Sequence, residues 1–510
     1  MKKILAALLC MGLFMGTLAA CGSTPETATK AGDTGSSASK TEESTAPANN
    51  ASMVTVSLFI PTLANYSEEA IAAVQAALNE RLAAEYGIQT KLMYTEIGNF
   101  ESTINLAMTT SEVDVTCYFN STGQLPTYVK NNQLLDITDY LNETGELKNI
   151  FTDTELQACT INGRIYGVPR KYQYGGGVQL VMNKDIVEEM GIDPMSIHDM
   201  DSVGEVLYQV KEAHPELTYT MVPQSSKEMM WAFPWDRNIG MTSFAYAEDF
   251  ESTEIKSLFE LESFAEICAY TRKWYQDGLI MSDVISNTME GTDLVSAGTA
   301  FCCFHNADID PLDAFYANTV ISDWIVEPHA IATDVANLQY GISANSAHPE
   351  EAFKLLTALY TDAELHTLLS FGIEGEHYVI NEDGRADYPE GMDSTNEPYG
   401  GFAATATYPN YLLNPVKASA ILDDYAKAVV EWDDNVNVSA TFGYFFDTSG
   451  YAEFVTAYTN LEEKYKAALM AGSIPLEEVL PSIKSELESI GFYDVIADTQ
   501  AGLDAFLAEK

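Results

Sequence analysis

Basic side chains are scarce in this chain. It carries 26 Lys and Arg against 75 Asp and Glu, a formal net charge of −49. Nucleic acid is held by clustered cations, so this balance excludes it as a partner and disfavours polyanionic solutes. Gly-x-Ser-x-Gly, His-Glu-x-x-His, Gly-x-Gly-x-x-Gly, P-loop and Cys-x-x-Cys strings are all missing. With them go the specific signatures of nucleophilic hydrolases, zinc proteases, dinucleotide enzymes and nucleotide triphosphatases. No catalytic residue, cofactor or metal is therefore expected. The 7 histidines are scattered singly. His305 with Asp308, Asp310 and Asp313 is the best cation candidate, but reads as an ordinary acidic loop, and Asn381–Gly384 lacks EF-hand spacing. Cysteine is sparse too. Beyond Cys10 and Cys21 there remain Cys117, Cys159, Cys268, Cys302 and Cys303, an odd number without paired spacing, which argues for buried thiols rather than a disulfide framework. After the first twenty residues no apolar run reaches 18, so no further membrane span is expected.

What the chain does have begins at its start. Lys2 and Lys3 precede an uncharged, mostly apolar run, Ile4–Ala20, the pattern of a secretory signal peptide. It ends Leu18-Ala19-Ala20-Cys21-Gly22, which resembles a bacterial lipobox, so Cys21 is the expected lipidation site. Residues 22–52 contain no aromatic and no aliphatic larger than Ala. Such a segment cannot bury enough apolar surface to order itself, and is expected to be a flexible tether. Residues 53–510 exceed what a single core usually supports, so two lobes are expected.

In the first of these, Val54, Val56, Leu58 and Ile60 predict a strand. Ser67 with Glu68 and Glu69 predicts a helix start, and Ile71, Val74, Leu78, Leu82 and Tyr86 its apolar face, with Gly87 at its end. Strands over Ile88–Tyr94 and Val113–Phe119, with a helix over Asn99–Thr109, complete an α/β pattern of largely parallel pairing. Ligands bind beyond the carboxyl ends of such strands. That places Asn65 and Tyr66, after the first strand, and Tyr118 and Asn120, at the end of the third, among the candidate site residues. Further on, Asp185 is read as a helix cap, Thr361-x-x-Glu364 as a capping box and Pro349 as a first-turn proline. Cys302 and Cys303 read as core of a strand.

The stretch Leu125–Leu141, ending LLDITDYL, and Ile161-Asn-Gly-Arg-Ile-Tyr-Gly-Val-Pro169 resemble extracellular solute-binding proteins of ABC importers. Val181-Met-Asn-Lys-Asp185, Gly341–Ala352 and Tyr360–Glu364 continue the resemblance. Phe371-Gly-Ile-Glu-Gly-Glu-His-Tyr378 and the end from Thr441 onward are similar to the lipoproteins of that group with a DUF3502 carboxyl-terminal domain. Glu376, where relatives often carry Lys, and Thr448–Gly450 depart from the pattern toward acid. The resemblance implies a two-lobed, type II periplasmic-binding-protein-like α/β fold with hinge crossovers, each lobe a mixed, mostly parallel sheet flanked by helices. The expected division is 53–172 plus 341–441 for lobe I, and 173–340 plus 442–510 for lobe II, with Gly175–Gly177 as hinge. It also implies a monomer, lipid-anchored at the extracellular face, that passes a solute to permease subunits.

Aromatic residues concentrate in loops. Tyr172 and Tyr174 flank the glycine run; Trp231, Phe233, Trp235 and Arg237 crowd into MMWAFPWDR; Trp324 and Glu327 lie before Gly341. Flat rings pack on sugar C–H faces while carboxylates, amides and guanidinium groups take hydroxyls. The candidate ligand-binding set is Asn65, Tyr66, Tyr118, Asn120, Tyr172, Tyr174, Trp231, Trp235, Arg237, Trp324 and Glu327, and the family resemblance implies that the solute is an oligosaccharide. A peptide or other polar solute is the alternative binder, a surface glycoside hydrolase the alternative enzyme, and a purely structural lipoprotein a third class. On this reading Trp235→Ala weakens binding by about 1–3 kcal/mol and leaves the unliganded melting temperature nearly unchanged.

Overall fold

The computed structural model describes residues 53–62, 66–120, 124–307, 309, 318–402, 407–420 and 422–510. The expected leader, Cys21, the tether, Asn65 and the acids at 308, 310 and 313 lie outside the described residues.

The first sheet is built on Val54–Thr62, which pairs in parallel with Ile88–Glu96 on one side and Val115–Phe119 on the other. The intervening helix, Glu68–Glu85, starts where the sequence indicates: the Ser67 hydroxyl accepts the Ala70 N–H at 3.1 Å. Its Val74, Leu78 and Leu82 are buried, so the helix covers the sheet with a single stripe. Leu338–Ile342 and then Val168–Pro169 add two antiparallel strands to this sheet. Just before them, Asn162 and Gly163 sit at φ +50° and +75°, the two left-handed positions of a tight hairpin turn between Thr160–Ile161 and Arg164–Ile165.

The second sheet is built on Gly176–Asn183. Ala300–Ala307, Val326–Ala330 and Thr319–Ile321 all pair with it antiparallel. Tyr219–Met221 and Asn437–Val438 pair in parallel with Ala300–Ala307 and Val326–Ala330 respectively. The parallel pairing expected from the sequence thus dominates only the amino-terminal strands. Residues 437–438, inside the span expected for lobe I, belong to the second sheet. Each sheet has its own core: Val56, Leu58, Ile60, Leu78, Tyr118 and Tyr340 in the first, Leu180, Trp235, Phe264, Trp274 and Phe304 in the second. The closing helices Ala452–Met470, Leu476–Ser489 and Phe492–Glu509 join the second core through Phe454, Tyr458, Leu461, Leu487 and Phe492. All five described cysteines are buried and free. Among the described residues no helix is long and apolar enough to cross a membrane.

Two helix starts differ from expectation. Asn183, not Asp185, caps the helix Lys184–Met190 by accepting the Ile186 N–H, because the strand runs one residue further than its apolar pattern shows. Thr361 is the last residue of the helix Pro349–Thr361, its hydroxyl donating to the Thr357 carbonyl; Asp362 caps the next helix by accepting the Leu365 N–H at 3.0 Å.

The chain passes between the sheets three times: at 170–175, at 331–337, and after the helix Tyr425–Asp433. The glycine run at the first passage is not where the backbone is loose. Gly176 and Gly177 already pair with His329 and Ala307. A Cβ on Gly175, at φ +75°, would meet the His329 carbonyl oxygen at 2.6 Å, and one on Gly177 the Val326 carbonyl oxygen at 2.2 Å. These glycines serve close approach of strands, not hinge freedom. The passage itself is tied down on both sides of Gln173. On one side, Lys171 exchanges backbone hydrogen bonds with Pro409 and Tyr411, and its ammonium sits 2.7 Å from the buried Glu155 carboxylate. On the other, the Tyr174 N–H donates to Asp433 Oδ1 at 3.2 Å, and its carbonyl accepts from the Trp432 indole at 2.9 Å.

Candidate functional site

Where the passages converge lies a compartment of about 190 Å³. Arg170, Tyr172 and Tyr174 reach it because they alternate along an extended segment, which puts i, i+2 and i+4 on one side. The Arg170 guanidinium lies over the Tyr172 ring at 4.5 Å. Tyr172 is backed in turn by Tyr411 at 5.4 Å and Tyr425 at 5.9 Å. Opposite them stand Phe233, Arg237, Phe250, Asn306, His329, Asp334 and Asn337. Phe250 stacks on the His329 ring at 3.8 Å. His329 Nδ1–H donates to the Glu327 carbonyl, and burial holds this imidazole below its usual pKa, so it presents a neutral ring. Arg237 is ion-paired with Asp334 at 2.8 Å.

A second compartment of about 600 Å³ adjoins the first, with Phe233 and Arg237 lining both. Its floor is a stack: the Trp235 indole lies 4.7 Å under Phe233 at 12°, with Lys466 Nζ 5.2 Å from the Phe233 ring centre. Trp231, 51% exposed, forms part of one wall, and Thr459, Glu462, Glu463 and Lys466 of the helix Ala452–Met470 form another.

The loop that carries these side chains is held from below. The Asp236 carboxylate is buried and accepts hydrogen bonds from the Ser439 hydroxyl and, at 2.7 Å, from Thr441. Burial pushes its pKa up to about 6 against the opposing effect of those two donors. The Asn238 amide donates to Thr333 at 3.2 Å. Residues 236–238 therefore fasten the 227–246 segment to the second and third passages at once. Burial likewise pushes Asp433, beside Tyr174, up to about 7.

The structure sorts the expected residues. Tyr172, Tyr174 and Arg237 come together in the inner compartment, and Trp231 and Arg237 in the outer one. Six others are placed elsewhere, and the expectation for them is corrected. Tyr118 is 0% exposed, packed in the first core with its hydroxyl donating to Gln339 Oε1 at 2.8 Å. Asn120 is also fully buried; it accepts the Leu125 N–H and donates its own N–H to the Asn337 carbonyl, fastening the second passage. Trp235 is 0% exposed between Phe233 and Phe264. Trp324 leans on Trp432 at 5.9 Å and closes over Gly177. Tyr66 stacks on Tyr94 at 5.0 Å and shares a hydroxyl hydrogen bond with Tyr408, in a tyrosine cluster of the first lobe rather than in either compartment. Glu327 is exposed and lines neither. Arg170, Asn306, His329, Asp334 and Asn337 join the site unannounced. The alternation Arg170-x-Tyr172-x-Tyr174 was the one signal for any of them.

Two separately cored sheets, joined by three passages that converge on a ring- and amide-lined compartment, define a two-lobed solute-binding architecture. The family described as bacterial extracellular solute-binding protein matches residues 76–371, and the chain belongs to that family. Residues 440–508 match a second family, described as a domain of unknown function (DUF3502). A Streptococcus pneumoniae protein described as a carbohydrate ABC transporter substrate-binding protein is 24% identical over 367 residues, 69% of this chain and 71% of that protein. Among solved structures, the N-glycan transport solute binding protein NgtS of S. pneumoniae superposes with TM-score 0.73 at 20% identity, covering 89% of this chain and 99% of that one. An HMO-binding, ABC-transporter-associated protein of Bifidobacterium longum infantis gives 0.64 at 15%, covering 89% and 99%.

The burial of Trp235 reverses the expected phenotype of its removal. Trp235→Ala should lower the stability of the unliganded protein by about 3–5 kcal/mol, the usual cost of truncating a fully buried large aromatic. Chemical denaturation measures it, and a loss under 1 kcal/mol would return Trp235 to the cleft.

Proposed function

We propose that this chain is an extracellular solute-binding lipoprotein that captures a neutral oligosaccharide between its lobes and delivers it to the permease subunits of an ABC importer. The inner compartment carries the sugar reading. Its lining combines the rings of Tyr172, Phe233 and Phe250 with the amides of Asn306 and Asn337 and the guanidinium of Arg170, and Arg237 is already paired with Asp334. A site whose cation has its own carboxylate gains little from an anionic solute, and the chain's net charge of −49 opposes one further. The name of the streptococcal relative, and the Man1GlcNAc complex of its structural neighbour, support the same class. Tyr172, Tyr174, Trp231 and Arg237 are the members of the expected set retained for ligand contact. Capture without turnover is the mode of action, and closure bends the chain within the three passages.

A thermal-shift screen of the full chain against neutral glycans of one to seven units, acidic glycans and short peptides tests this. Neutral oligosaccharides should raise the melting temperature and emerge uncleaved. Stabilisation by peptides alone, or cleavage of the bound glycan, would contradict the reading.

The lipid anchor rests on Leu18–Cys21 and the polar segment after it. Several acyl chains make such an anchor effectively permanent, where one would be marginal. Cys21→Ala should release the protein from membranes or leave its leader uncut; a variant that stays membrane-bound, acylated and normally processed would sink the proposal.

A further inference from the structure

The carboxyl-terminal helices bury one face in the second core, and that accounts for Phe454, Tyr458, Leu461 and Tyr465. It does not account for the adjoining face of the first of these helices. There Thr459, Glu462, Glu463 and Lys466, spaced i, i+3, i+4 and i+7, line a cavity of about 600 Å³. Polar groups on this face are already fixed in place. Glu462 accepts from the Tyr246 hydroxyl at 3.0 Å and from Lys466 Nζ at 2.9 Å. Across the cavity stands Trp231, half exposed, its backbone N–H tied to Gln224 Oε1 at 3.1 Å. The charged lining is balanced, Lys227, Arg237 and Lys466 against Glu228, Glu462 and Glu463.

We infer that the segment matched to a domain of unknown function forms one wall of an outer subsite, which takes the units of a neutral oligosaccharide that extend beyond the inner compartment. This rests on the oligosaccharide reading above and adds to it the length of the solute and the part of the chain that measures it. Size is the first argument. At about 190 Å³ the inner compartment falls below the roughly 300–1,000 Å³ of ordinary ligand pockets, whereas the outer one falls inside that range. Proximity is the second: Phe233 and Arg237 line both, so the two compartments meet at these side chains. Chemistry is the third. An open indole faces a wall of prearranged donors and acceptors, in a cavity whose lining as a whole has no net charge, which suits stacking of a sugar ring with hydroxyls hydrogen-bonded at its edge. The helix thus holds the lobe together on one face and reads solute on the next.

Fluorine NMR of the full chain labelled with 5-fluorotryptophan tests this, with the Trp231 signal assigned by Trp231→Phe. The probes are neutral glycans from monosaccharide to heptasaccharide, with melting temperature recorded in parallel. Glycans of three or more units should shift the Trp231 signal, and monosaccharides should leave it unmoved. Lys466→Met should weaken binding of a stabilising tetrasaccharide roughly tenfold, the worth of one charge-assisted hydrogen bond, and leave disaccharide affinity unchanged. Glycans that raise the melting temperature without moving Trp231, or a Lys466→Met loss equal at every length, would overturn the subsite and leave the solute-binding function standing. If no glycan moves either readout, both fall.

Discussion

Asp236 is the fixed point of the structure. A carboxylate removed from water is costly unless hydrogen bonds replace its hydration. Here the hydroxyls of Ser439 and Thr441, just past the strand that ends the third passage between the lobes, both donate to Oδ2, while the buried Oδ1 accepts no hydrogen bond. Its neighbours do the same for the second passage, Arg237 through Asp334 and Asn238 through Thr333. One short loop therefore sets the position of two of the three connections, while Trp235 plugs that loop into the second core. The side chains proposed to face solute, Trp231, Phe233 and Arg237, hang from this bracket. Their positions follow from burial and pairing beneath them, which is how a loop becomes a rigid binding wall.

The bracket also explains how such a site suits an uncharged solute in so acidic a protein. Arg237 and Lys466 each have a carboxylate partner within 3 Å and each lies over the Phe233 ring. Paired in this way, the cations organise the ring and the hydrogen-bonding edges without presenting a net field. The two lobes line the compartments asymmetrically: the first contributes the alternating Arg170 and Tyr172, and the second most of the remaining wall.

Much of the fold was legible because its signals are local. Ser67 with two following acids and Pro349 at a first turn each specify their geometry within a few residues. The cysteine pair in Phe301–Phe304 reads as core from its apolar neighbours alone, and is core. The site was harder. Trp231 and Trp235 lie four residues apart in the same loop, yet one is half exposed and the other fully buried, since only the tertiary position of Phe264 decides which is covered. Tyr118 and Asn120 lie at the end of a strand at the expected lip of the first sheet, but the later strand Leu338–Ile342 pairs alongside, and Gln339 and Asn337 take up the Tyr118 hydroxyl and the Asn120 N–H. Asn306, His329 and Asn337 come from three separate segments, and no spacing in the sequence relates them. The polar face of Ala452–Met470 has the spacing of any solvated helix. Only the cavity beside it gives it meaning.

Small-angle scattering of the full chain, free and saturated with a glycan that raises its melting temperature, tests the central claim most directly. Two lobes that close on a solute at the convergence of their three connections must become more compact. A fall in radius of gyration on binding is the predicted result. Tight binding with an unchanged radius of gyration would contradict the account, because the solute would then sit on one lobe and leave the passages between them uninvolved.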